Sequence, residues 1–432
     1  MNYRRKIKDL LYKMCSLLDK IQDNSLALPL NILCNMLKIR MLLLLIILFF
    51  NVVDCPAQVC KKGDTALLYS LMEKDDFFKP YLIDAEKYEI QIIYTQIDRD
   101  SQQRPTFTQY SYQLDSKRFF NPASLVKWPL ILLGMEKVNN LNRDYGITIY
   151  NKVEFEGNSD STASIKTDYL APDKTPRLAN YIKEMILVSD NDAYNRMYDF
   201  LGQEYINKRL SEMGYDSIRV MLRFDNSNRM QNRTTPLVNF YNDKDLLIYK
   251  QPAANNPVQL SNPLGEVVKG GRNYSYFNNV PLQDVNDMML YVFFRDVVPI
   301  KKRFNLTDKD YKLLYKYTAM YPRESEFPLF KKNKRKYPVH LKKYLYYGKN
   351  SALPDLPGLR IHNMVGESHG TLSDVAYFVN TKTGIEFMLS AVINTCDGRI
   401  TPANYHYKDI GQPFLRKLGR IIYNYEEQRR KR

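Results

Sequence analysis

Phe120-Asn121-Pro122-Ala123-Ser124-Leu125-Val126-Lys127-Trp128-Pro129-Leu130 places a serine three residues before a lysine, just after a proline and ahead of an apolar run. In a helix, positions three apart share a face, with Cβ atoms about 5–6 Å apart. A serine hydroxyl becomes a useful nucleophile when a neighbouring base takes its proton, and a lysine can be that base once burial lowers its pKa. Leu125, Val126, Trp128 and Leu130 supply an apolar setting of that kind. A serine at a helix start also brings its own backbone N–H toward an oxyanion. The same residues equally describe an N-cap on a buried helix. S-x-x-K is a loose pattern, and both readings remain open on it alone.

Working outward, Thr65–Leu71 has helical spacing, and Tyr88–Ile97 and Thr106–Leu114 are rich in β-branched and aromatic residues, predicting an antiparallel pair of strands. A helix is predicted from Ser124 to about Asn139, with Pro129 in its first turns where a missing N–H costs least. Leu178–Gly214 carries two more helices at 3.6-residue spacing, and 215–236 reads as loop. Residues 240–355 mix helical pieces, such as Val285–Phe294 and Asp308–Tyr317, with aromatic and basic loops. Leu359–Val365, Asp374–Asn380 and Ile385–Asn394 read as three strands, followed by a last helix, Tyr407–Tyr425. That order predicts an α+β fold: an antiparallel five-stranded sheet from both chain ends, flanked by helices, with a mostly helical subdomain inserted.

At 432 residues and 44% hydrophobic, the chain can bury a full core. Met41–Phe50 is an apolar run of ten residues behind Lys38 and Arg40, too short for the about 20 residues that span a bilayer. With Cys55-Pro56-Ala57 ahead of Gln58, it reads as a secretory signal peptide, complete from Met36. Residues 1–57 are therefore expected to be an upstream extension plus signal, and 58–432 one domain with an enlarged insertion at about 240–355. The expected location is periplasmic or extracellular, with no membrane span in the mature form; Asp54 makes Cys55 a poor lipid-anchor site.

With eight of the 63 basic and four of the 47 acidic residues before residue 58, the remainder still carries +12. The densest basic run is Lys331-Lys332-Asn333-Lys334-Arg335-Lys336, with Lys342 and Lys343 nearby. It reads as a solvated basic loop, and an exported protein would meet anionic envelope polymers there rather than nucleic acid. Cys60 and Cys396 are the mature cysteines, expected to pair if the chain ends meet in an oxidising compartment. His340, His362, His369 and His406 show no metal-ligand spacing, so no metal or other cofactor is expected.

A second motif changes the weight of the first. Val188-Ser189-Asp190-Asn191-Asp192 lies where one predicted helix ends and another begins. S-x-x-K followed by S-D-N, after a signal peptide, resembles the class A β-lactamase and penicillin-binding protein superfamily, whose motifs are S-x-x-K, S-D-N and K-T-G. Asn121-Pro122-Ala123-Ser124 is similar to the family's approach to its nucleophile, and Thr234-Thr235-Pro236 to the start of a later helix. The resemblance implies that Ser124 is acylated and Lys127 is its base. By the same likeness Ser189 passes a proton to the leaving group, and Asn191 hydrogen-bonds Lys127 and a substrate amide.

Lys382-Thr383-Gly384 is a literal K-T-G, but it lies between two strands and reads as a hairpin turn. Counting strands back from the last helix puts the family position at Met364-Val365-Gly366, before Gly370-Thr371-Leu372-Ser373-Asp374-Val375-Ala376. Met364, Val365 and Gly366 are then the substrate-side strand, and Glu367 supplies the second oxyanion N–H beside that of Ser124. Relatives grip a substrate carboxylate with the lysine of K-T-G; Met364 and Val365 cannot. The deacylating glutamate of class A enzymes aligns with Asn228, which is no base at neutral pH.

The implied function is an exported, monomeric serine hydrolase acylated by a small-molecule or cell-envelope substrate (a β-lactam, ester or peptide), with slow turnover. The alternative is a catalytically impaired binding protein for an envelope glycan or peptide. A D-alanyl peptidase needs a carboxylate anchor that the sequence does not display.

Overall fold

Four strands with both faces largely buried, rather than the alternating pattern of a half-wet sheet, organise this chain. The computed structural model describes residues 60–157, 164–226, 228–266, 271–350 and 352–430. The signal peptide and extension expected at 1–57 lie outside the described residues.

The chain opens with β1 (Lys61–Lys62), α1 (Ala66–Glu73), β2 (Gln91–Arg99) and β3 (Pro105–Tyr112). Next come α2 (Lys127–Tyr145), β4 (Lys152–Glu156), α3 (Leu178–Val188), α4 (Asn191–Leu201) and α5 (Gln203–Glu212). The middle holds α6 (Arg229–Arg233), β5 (Thr234–Thr235), β6 (Leu237–Tyr241), β7 (Leu247–Gln251), β8 (Ala254–Asn255), α7 (Leu282–Phe293) and α8 (Asp308–Ala319). It closes with β9 (Leu359–Ser368), β10 (Thr371–Asn380), β11 (Glu386–Asn394) and α9 (Gln412–Arg430).

The main sheet runs β1-β3-β2-β11-β10-β9. Its centre pairs β2, from the start of the unit, antiparallel with β11, from its end. Side chains alternate between two cores, as a pleated strand dictates. Ile92 and Tyr94 pack with Leu68 of α1 and Phe414 and Leu418 of α9. Ile93 and Ile97 face the other way, toward Trp128 and Met135 of α2 and Met197 of α4. Each such buried side chain contributes about 1.5–3 kcal/mol relative to exposure.

The structure departs from the sequence reading in several places. A sixth strand, β1, pairs parallel with β3 at the outer edge. Two lysines carry no apolar alternation, so backbone pairing at this edge leaves no side-chain pattern to read. Leu178–Gly214 holds three helices, because Gly202 at φ 79° breaks the second. Thr234-Thr235-Pro236 leads into strand β6 rather than a helix; β6 pairs with β4 and β7 in a second antiparallel sheet. In β4, Val153 and Phe155 alternate with polar residues, a five-residue signal too short to stand out. Cys60 and Cys396 are both free thiols rather than a pair. Cys60 adjoins the β1–β3 edge near Asp287, and Cys396 packs on Gly370 past the far end of β11. Among the described residues no helix is long and apolar enough to cross a membrane.

Candidate active site

The Asn121 side chain accepts from the Ala123 N–H at 3.0 Å, folding the chain into a turn that holds Ala123 at φ 46°. A β-carbon is strained there, and such strain collects at functional sites. A 3₁₀ turn, Ala123–Val126, then runs into α2, with Lys127 as its first residue. Ser124 is half-buried, whereas Lys127 is fully buried.

Helix α3 supplies the second piece. It ends on Ser189 in the left-handed conformation (φ 59°, ψ 41°), a position that usually takes glycine. The Asp190 carboxylate then accepts from the Ala193 N–H at 2.9 Å and caps α4, which puts Asn191 at that helix's first position.

These two turns meet at the Lys127 amine. Nζ lies 2.7 Å from Ser124 Oγ, 2.8 Å from the Ser189 carbonyl, 3.1 Å from Ser189 Oγ and 2.8 Å from Asn191 Oδ1. The Phe224 ring lies beneath it, 4.4 Å from Nζ. Burial holds the Lys127 pKa well below the ordinary lysine value, and the Lys342 ammonium lowers it further, while Asp190 and Asp225 oppose. A neutral amine has two N–H donors and one lone pair. The Ser189 carbonyl and Asn191 Oδ1 can only accept, so they take the two N–H groups, and the lone pair is left for the Ser124 O–H.

Edge strand β9 closes the site. A Cβ added to Gly366 would come 2.5 Å from the Pro122 carbonyl and 2.6 Å from Ser373 Oγ, so only glycine lets the Ser124 turn lie on this strand. The β9–β10 register is unbroken from Leu359 to Ser368. The Ile361 carbonyl accepts from Lys343 Nζ at 2.6 Å and therefore faces away from β10. Backbone groups of an antiparallel strand alternate sides with period two, which puts the Glu367 N–H on that same outward side. The Glu367 carboxylate is occupied by the Tyr344 hydroxyl at 2.8 Å and Lys349 Nζ at 2.6 Å.

Other expected site residues are not brought together. Met364 and Val365 bury their side chains in the two cores on opposite faces of the sheet, so neither reaches the cleft. Asn228 is exposed and caps α6, its Oδ1 accepting from the Met230 and Gln231 N–H groups. Lys382-Thr383-Gly384 forms the β10–β11 turn, with Asn380 Oδ1 accepting from the Lys382 and Thr383 N–H groups. Lys342 and Lys343, grouped in the sequence with the basic surface run, are fully buried. Their apolar neighbours Leu341, Tyr344 and Leu345 were the available signal.

Residues that the sequence reading missed gather beside Asn121. His369, in the β9–β10 turn at φ 51°, lies 2.9 Å from Asn121 Nδ2, 3.1 Å from the Tyr274 hydroxyl and 3.1 Å from Arg272 Nη1. Burial and the Arg272 charge push its pKa down to about 4, leaving the imidazole neutral at pH 7. Arg272 rests on the Tyr274 and Phe277 rings. Among the described residues it has no carboxylate partner. Arg272 and Tyr274 lie far from Ser124 in sequence, and only the fold brings them near Asn121.

Residues 58–238 match the family described as the β-lactamase enzyme family. That segment is similar to the family. The matched segment contains Ser124, Lys127, Ser189 and Asn191, and ends before β9. Similar solved structures include a β-lactamase from Sphaerobacter thermophilus DSM 20745, 11% identical with a TM-score of 0.46, covering 84% of this chain and 98% of that one. Another is PBP-A, 13% identical with a TM-score of 0.46, covering 86% and 99%. A third is the chromosome-encoded β-lactamase of Vibrio parahaemolyticus, 11% identical with a TM-score of 0.46, covering 82% and 98%. No curated protein matches the chain.

Proposed function

We propose that the protein is an exported serine hydrolase that passes through an acyl-enzyme on Ser124. One observation carries the reading: a fully buried lysine amine, whose charged form burial disfavours, lies 2.7 Å from a half-buried serine hydroxyl. As Ser124 Oγ bonds to an amide or ester carbonyl carbon, its proton passes to Lys127 Nζ. The oxyanion that forms is held by the Ser124 and Glu367 N–H groups. Collapse breaks the carbon–nitrogen or carbon–oxygen bond, and the leaving atom takes its proton from Lys127 through the Ser189 hydroxyl. Water then cleaves the ester, releasing the acid and restoring Ser124. With Asn228 engaged as a helix cap, no glutamate equivalent serves this last step, and turnover is slow.

Arg272, stacked on the Tyr274 and Phe277 rings beside His369 without an acidic partner among the described residues, is read as the anchor for an anionic substrate group. Residues 58–432 are read as one monomeric domain, delivered to the periplasm or cell exterior by the signal at 36–57.

The test is intact-mass measurement after exposure to a fluorescent penicillin and to activated esters with and without a carboxylate. A stable adduct is expected on the native chain and none on Ser124→Ala, with the carboxylate-bearing ester reacting faster. Equal rates for the two esters would remove Arg272 from substrate binding. Absence of any Ser124-dependent adduct would favour the second reading, a glycan-binding module on the same fold. For that reading, the exposed run Lys331, Lys332, Lys334, Arg335 and Lys336 supplies the anion-binding surface.

A further inference from the structure

Helix α3 ends at Val188, and the carbonyls of its last turn lack the intrahelical partners that interior carbonyls have. Two lysine side chains serve this one helix end. Lys127 Nζ bonds the Ser189 carbonyl at 2.8 Å, and Lys342 Nζ bonds the Ile186 carbonyl at 2.5 Å and the Met185 carbonyl at 3.2 Å. Lys342 is fully buried, and its amine bonds carbonyls rather than a carboxylate, an arrangement that costs more than a paired surface lysine.

The backbone around Lys342 is tied to the main sheet. Asn363 of β9 donates through Nδ2 to the Lys342 carbonyl at 2.6 Å and to Asp374 Oδ1 of β10 at 2.8 Å. Asn363 Oδ1 accepts from Lys343 Nζ at 2.7 Å, and Asp374 Oδ2 accepts from the Leu345 N–H at 2.9 Å. One residue thus joins the strand that carries Gly366 and Glu367 to the turn that carries Ser189 and Asn191.

We propose that Lys342 is a positioning residue of this site: its ammonium locks the α3–α4 turn to β9 and sets beside Lys127 the second positive charge that Met364 and Val365 cannot provide. This rests on the reading of Ser124 and Lys127 as nucleophile and base. Lys342 touches no substrate, because it is fully buried. It acts through Lys127: a like charge nearby disfavours protonation of the amine and keeps its lone pair free for the Ser124 proton. The other charges in play are Asp190 and Asp225 toward Lys127, and Asp374 and Lys343 toward Lys342.

The test follows the Lys127 amine directly, by 15N NMR of the full chain labelled at lysine Nζ, with Lys127→Arg assigning the signal. Lys342→Met is expected to raise the Lys127 titration midpoint by about one to two pH units, as expected for losing a close like charge. Lys342→Arg, which keeps the charge, leaves it within about half a unit. The pH midpoint for Ser124 acylation by an activated ester moves up in parallel in Lys342→Met. If circular dichroism shows that this variant is unfolded, Lys342→Gln, which keeps a donor for the Ile186 carbonyl, takes its place. An unmoved Lys127 midpoint overturns the proposal whatever Ser124 does. A moved midpoint in a chain that forms no Ser124 adduct overturns the acyl-transfer reading and supports the role of Lys342.

Discussion

Ser189 shows how a single residue reconciles backbone and chemistry. Its φ of 59° costs a β-carbon about 1–2 kcal/mol, yet its carbonyl and hydroxyl both lie against Lys127. Ser189→Gly removes the hydroxyl and relieves the backbone. The variant is expected to keep its stability or gain up to about 1 kcal/mol in denaturant unfolding. Ser124 acylation should meanwhile fall by about 10²–10³-fold, the scale of a lost proton-transfer group. Lost stability with intact acylation would mean that the serine serves the helix end alone. Ser124, Lys127, Ser189 and Asn191 were legible in the sequence as candidates because each motif is local, spanning at most four consecutive residues. Lys342 was not: a lysine near a basic run looks solvated until the fold shows what covers it.

At the scale of elements, the close approach of β9 to the Ser124 turn decides whether the proposed oxyanion donors, the Ser124 and Glu367 N–H groups, can face one atom. Gly366→Ala places a Cβ 2.5 Å from the Pro122 carbonyl, a backbone atom that cannot swing aside. The expected result is a loss of about 1–3 kcal/mol in unfolding free energy, from overpacking. A larger proportional loss in acylation rate is expected, since Pro122 and Gly366 each adjoin residues that hold the site. Acylation at the native rate would show that β9 does not contribute to the site. The strands themselves were readable as apolar runs. Their order in the sheet was not, because β2 and β11 pair across almost the whole described chain.

The whole molecule buries several lysines, and its stability should respond to pH accordingly. Burial pushes Lys137 and Lys342 each down to about 7, and Lys343 in the same direction. A lysine depressed in the folded state contributes stability that is fully present above its unfolded value of about 10.4 and is lost as pH falls toward 7. Glu184 works the other way: burial, with Asp168 next, pushes it up to about 11. Its contribution is present below the unfolded value of about 4.3 and is lost as pH rises. Three lysines outweigh one glutamate, so the thermal midpoint is expected to rise between pH 7 and pH 9 in differential scanning calorimetry. Glu184→Gln, fixed in the neutral form, should steepen that rise. A midpoint that falls over this range would show that these lysines are solvated.

The sequence by itself determined strands β2, β3, β9, β10 and β11, helices α1, α2, α7, α8 and α9, the pairing of S-x-x-K with S-D-N, and the reading of Lys382-Thr383-Gly384 as a turn. Each depends on interactions within a few residues, which local spacing and backbone preference record. The tertiary structure alone decided which lysines are buried, which carbonyls Lys342 reaches, and how Arg272, Tyr274 and His369 gather beside Asn121. Those facts depend on contacts between segments distant in sequence. Desolvation, which lowers the Lys127 pKa, exists only once those segments have closed over it.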